Sequence, residues 1–90
     1  MKKQANLIIS GLVQGVSFRY YTKEKASSLG ITGWTANMAD GKVEIVVEGE
    51  EDKLEELIIW CSTGSPSARV DEIKLSWEDF QGEFALFEIK

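Results

Sequence analysis

The chain has 90 residues, enough for one small domain; a chain this short buries only about 60–65% of its unfolded surface, so its core must be used efficiently. An apolar fraction of 43%, with three Trp, four Phe and two Tyr, suits one globular core and argues against disorder. The absence of histidine, the single cysteine and the net charge of −5 exclude His-based catalysis, Cys-cluster and most zinc sites, an internal disulfide and a basic nucleic-acid face.

Lys2 and Lys3 precede the first apolar run, but Ser10 and Gly11 interrupt it, so neither a signal peptide nor a membrane span is expected and the default location is cytoplasmic. Asn6 to Val13, apolar and rich in β-branched residues, predicts a central strand. Phe18, Thr22, Ala26 and Leu29 recur at spacings of four, four and three, one face of a helix. Ser17 is its expected N-cap and Gly30 its C-terminal cap. Ile31 to Met38 predicts a second strand, and Asp40-Gly41 is a hairpin signal leading into a third over Lys42 to Glu48, closed by Gly49.

In that third strand Val43, Ile45 and Val47 share one face, while Glu44 and Glu48 read as solvated on the other. Leu54, Leu57, Ile58 and Cys61 make the apolar face of a second helix, whose acidic start at Glu50 to Asp52 suits the helix dipole. Those carboxylates, with Glu55 and Glu56, read as a solvated helix start and not as a metal site. Cys61 reads as a core residue, and Trp34, Trp60 and Trp77 as packing residues with Trp60 partly exposed. Gly64-Ser65-Pro66 breaks the helix; Arg69 to Trp77 is a fourth strand, with Ile73, Leu75 and Trp77 on one face, and Phe84 to Ile89 a short fifth. The expected fold class is therefore α+β: a ferredoxin-like βαββαβ sandwich over residues 1–90, an antiparallel sheet with two helices on one face and a short extra C-terminal strand.

Chemistry concentrates between the first strand and the first helix, in Gly11 to Arg19. The run is neither GxxxxGK[ST] nor GxGxxG, so it is not a nucleotide loop of either kind. It is a glycine-bearing strand-to-helix turn, where backbone N–H groups and the helix dipole can converge on an anion. Arg19 is the informative residue, because a cation in a helix's first turn opposes the dipole by about 0.3–1 kcal/mol. With a phosphate present, guanidinium and dipole act on the same charge. In the predicted fold the first and third strands are central, which brings the loop near the residues leading into the hairpin, Asn37 among them.

Val13-Gln14-Gly15-Val16 with Phe18-Arg19, then Gly33-Trp34 with Asn37, Asp40-Gly41 and Val43-Glu44, resemble the two signature motifs of the acylphosphatases. Ser65-Pro66 with Ala68-Arg69-Val70, Trp77 and Phe87-Glu88-Ile89 extend the resemblance over nearly the whole chain. It implies a small, metal-free enzyme with no cofactor, acting on acyl phosphates. Arg19 matches the family's phosphate-gripping arginine, and Asn37 the asparagine that positions the attacking water. Gly15, Val16, Ser17, Phe18 and Arg19 match its backbone cradle. Leu12 stands where the family often has a basic residue, and Thr35-Ala36 replaces a pair often written with valine and a basic residue.

The chemistry fits these residues on its own terms. An acyl phosphate already carries a good leaving group, and phosphoryl transfer needs mostly positioning and charge stabilisation. Asn37 can hold water but cannot deprotonate it, so a substrate phosphate oxygen is the expected proton acceptor. The expected partner is thus a small-molecule acyl phosphate, with no nucleic acid and no membrane, and a monomer is expected. A binding module is the rival class. RNA binding lacks a basic face and metal carriage lacks ligands, which leaves a non-catalytic phosphate or carbamoyl-phosphate binding module of the same fold.

Overall fold

The computed structural model describes residues 1–90 as β1 (Lys2–Leu12), α1 (Phe18–Ser28), β2 (Thr32–Asn37), β3 (Val43–Glu50), α2 (Glu51–Cys61), β4 (Arg69–Asp79) and β5 (Phe87–Ile89). The strands form one sheet in the order β4-β1-β3-β2-β5. β1 lies antiparallel to both β3 and β4, β2 antiparallel to β3, and β5 parallel to β2. This is the expected ferredoxin-like α+β architecture with its extra strand.

Alternation builds the core. Ala5, Leu7 and Ile9 of β1 stand directly opposite Val47, Ile45 and Val43 of β3, and all six are buried. Phe18, Ala26, Leu54, Leu57 and Cys61 close the same core from α1 and α2, so both helices cover one face. Cys61 is a buried core residue, as its spacing predicts, and burial pushes its thiol up to about 12. Trp60 is half-buried, its ring 5.8 Å from that of Phe18. Trp77, read as a packing residue, is 38% exposed, because β4 is a sheet edge where helix cover thins.

Four boundaries differ from expectation by two residues or more, β4 running on to Asp79 where the expected end is Trp77. β1 begins at Lys2, not Asn6, because Lys2, Lys3 and Gln4 pair with Glu50, Gly49 and Glu48. The same pairing carries β3 through Gly49 to Glu50. β5 is reduced to Phe87–Ile89.

The larger correction is Glu48. Its face of the sheet carries no helix, yet Glu48 is only 1% exposed. β4 and β5 occupy opposite edges, so the connection between them must cross the sheet. Glu48 holds that crossing: its carboxylate accepts the backbone N–H groups of Gln81 (2.6 Å) and Gly82 (3.1 Å), and Gln4 Nε2 at 3.0 Å. The carboxylate is buried and fully engaged in joining three segments.

Candidate active site

Two buried side chains anchor the loop after β1. Val13 at its start and Phe18 at the first turn of α1 are each 1% exposed. Phe18 packs on Trp60 and also on Gly64, where an added Cβ would come within 2.4 Å of the Phe18 ring. The missing side chain at Gly64, beyond α2, therefore leaves room for the Phe18 ring. Between the anchors the backbone turns through Gly15 at φ 75° and Ser17 at φ 61°. Left-handed residues in a tight turn are the backbone pattern of anion-binding nests.

Ser17 occupies the N-cap position of α1, but its hydroxyl makes no capping hydrogen bond. An N-cap side chain needs an extended backbone to reach the next N–H groups, and Ser17 is left-handed instead. It is the one non-glycine residue of the chain with positive φ, a conformation that costs about 1–3 kcal/mol and concentrates at functional sites. The expectation that Ser17 is an ordinary cap is thus corrected.

Arg19, half-buried in the first turn of α1, donates from Nη1 to the backbone oxygen of Lys90 at 2.9 Å. Lys90 N–H in turn donates to the Thr35 carbonyl at 2.8 Å, tying the arginine's support to β2. No acidic residue lies in that helical turn. Asn37 ends β2, paired with Val43, and is exposed. A cleft of about 420 Å³ brings Gly15, Ser17, Phe18, Arg19 and Asn37 together. Val16 is not among its lining residues; its side chain packs against the core. Val13, part of the loop motif, also lines the cleft, as do Tyr20 and Ile89, which sequence reasoning did not single out for it.

The acylphosphatase family model matches residues 5–89, which spans both halves of this cleft. The chain belongs to the acylphosphatase family. An acylphosphatase of Syntrophobacter fumaroxidans is 52% identical over 88 residues, covering 98% of this chain and 91% of its own length. One of Geobacter sulfurreducens is 44% identical over 90 residues, covering 100% and 99%. The crystal structure of acylphosphatase from Bacillus subtilis superposes with a TM-score of 0.95 at 34% identity, covering 100% of this chain and 99% of that one.

Two further features shape this acylphosphatase cleft. Gln14 Nε2 donates to the Met38 carbonyl at 2.8 Å and to the Lys42 carbonyl at 2.9 Å, joining the loop to the hairpin after Asn37. Nothing in the sequence signals this beyond an amide at the loop's start; the contact spans 24 and 28 residues. The hairpin turn itself is held by Asp40. The Lys42 ammonium at 2.7 Å, followed by the Lys42 backbone N–H at 3.2 Å, holds its carboxyl below the usual carboxylate range.

Proposed function

We propose that this chain is an acylphosphate phosphohydrolase that cleaves the carboxyl–phosphate bond of small acyl phosphates, with residues 1–90 working as one domain. The observation that carries the reading is the cleft in which Arg19, the Gly15–Ser17 turn and Asn37 meet, although Asn37 lies 18 positions after Arg19 along the chain.

Arg19 binds the phosphate through the part of its guanidinium fork not used on Lys90, a geometry suited to phosphate oxygens. The N–H groups of Gly15, Val16, Ser17, Phe18 and Arg19 form the cradle, in place before the substrate arrives. Preorganised donors of this kind are each worth about 10²–10³ in rate by analogy with an oxyanion hole. Asn37 holds a water in line with the scissile bond. The water oxygen attacks phosphorus, the P–O bond to the acyl group breaks, and the carboxylate leaves with the electron pair. A phosphate oxygen takes the water's proton, because neither Arg19 nor Asn37 accepts one at neutral pH. Guanidinium and backbone supply the charge neutralisation, so the reaction needs no metal. We place the enzyme in the cytoplasm as a monomer; no helix is long and apolar enough to cross a membrane.

Hydrolysis of benzoyl phosphate in excess EDTA tests this. Turnover should persist in EDTA and fall by at least about 10²–10³-fold in both Arg19→Ala and Asn37→Ala. EDTA-sensitive turnover would sink the metal-free mechanism. A folded wild type without turnover would leave a phosphate or carbamoyl-phosphate binding module.

A further inference from the structure

The phosphate loop and the strand that carries Asn37 come from different parts of the chain, and the Gln14 amide ties one to the other. Gln14 immediately precedes Gly15, and Met38 immediately follows Asn37. Both carbonyls that Gln14 reaches already accept a hydrogen bond within the hairpin. Met38 O takes the Gly41 N–H at 3.2 Å, and Lys42 O takes the Met38 N–H at 2.8 Å. A carbonyl oxygen has two lone pairs, so Gln14 fills the second on each. A primary amide suits this double contact, since one uncharged nitrogen carries two N–H donors. Asparagine is a methylene too short, and an ionised glutamate would aim acceptors at acceptors. Gln14 is half-buried, which shields both bonds from competing water.

We propose that Gln14 is a positioning residue for acyl phosphate hydrolysis: it sets the separation between the phosphate loop and Asn37. It acts through Asn37 and lies outside the lining of the cleft. Phosphate held by Arg19 and the loop stays bound without it, but the water held by Asn37 is no longer aimed. This role presupposes that Arg19 and Asn37 act as proposed above.

Gln14→Met keeps length and volume and removes both donors. Its kcat should fall about 10²-fold, the usual consequence of a displacement near 1 Å, while inhibition by inorganic phosphate stays within about threefold of wild type. Gln14→Glu adds a signature that a merely structural role would not show. Its carboxyl, facing two carbonyl oxygens, titrates above its ordinary range, and its neutral form donates one O–H bond. The ratio of its kcat to that of wild type should therefore rise severalfold as pH falls from about 7 to about 5. A folded Gln14→Met with wild-type kcat, or one that loses phosphate affinity in step with kcat, overturns the role. Should Gln14→Met fail to fold, Gln14→Glu decides: a rising ratio supports the role and a flat one overturns it. Arg19→Ala and Asn37→Ala, run alongside, separate two failures. If they keep wild-type turnover, the site assignment falls; if they collapse while both Gln14 variants match wild type, only the positioning role falls.

Discussion

Arg19, to which we assign phosphate binding, sits where stability alone would not put a cation. Against the helix dipole it costs about 0.3–1 kcal/mol. Its exposed hydrogen bond to Lys90 offsets that cost and holds the side chain in place. Cys61 is the opposite case, a group whose only role is packing and whose ionisation the fold resists. Burial raises its thiol from an ordinary 9.0 to about 12. The folded state therefore favours the neutral thiol, and this contribution to stability is complete below pH 9.0 and is lost as pH rises toward 12. Urea unfolding between about pH 9 and pH 11 should show wild-type stability falling more steeply than that of Cys61→Ala, by up to about 1.4 kcal/mol per pH unit. Parallel slopes for the two proteins would mean that the thiol ionises equally well in the folded chain.

Elements are more legible in the sequence than what covers them. Spacing alone places Leu54, Leu57 and Cys61 on one helix face and Val43, Ile45 and Val47 on one strand face, and all six are buried. The same alternation assigns Glu48 correctly to the opposite face but cannot say that the chain returns across that face thirty-odd residues later. The loop motif and Asn37 are readable as residue types at known spacing. Gln14's reach to Met38 and Lys42 is not, because it depends on how separate segments meet, and nothing in the residue type marks the left-handed backbone of Ser17. Glu48 also separates stability from activity. Glu48→Ala strips the acceptor from three donors, at least one of them buried, and should cost about 3 kcal/mol. The crossing lies at the Lys2–Glu50 end of the sheet, whereas the cleft lies at the Leu12 and Asn37 end, so kcat of the folded variant should stay within about twofold of wild type. Denaturant midpoints and initial rates on one preparation check both; a kcat loss in fully folded protein would mean that the crossing reaches the site.

At the scale of the whole molecule, a chain of net charge −5 binds a dianion, so the attraction must be local. General electrostatics would repel phosphate, so under the proposed site saturable stabilisation by phosphate comes from the loop and Arg19. A ligand at a hundred times its Kd raises native stability by about 2.7 kcal/mol, and in a domain this small each kcal/mol moves Tm by about 4–8 °C. Saturating inorganic phosphate should therefore raise the wild-type Tm by about 10–20 °C. Phosphate also strengthens apolar burial as an excluded salt, but that effect acts equally on every variant of the same surface. The informative quantity is the difference between wild type and Arg19→Ala across one phosphate titration at constant ionic strength. Arg19→Ala should keep only the small, linear, unsaturating rise of the salt effect, while wild type adds a saturable step. Glu48→Ala starts from a lower Tm and should show the full step, because its cleft is intact. Equal saturable steps in wild type and Arg19→Ala would mean that the Arg19 guanidinium does not hold the anion, whatever the hydrolysis assay reports.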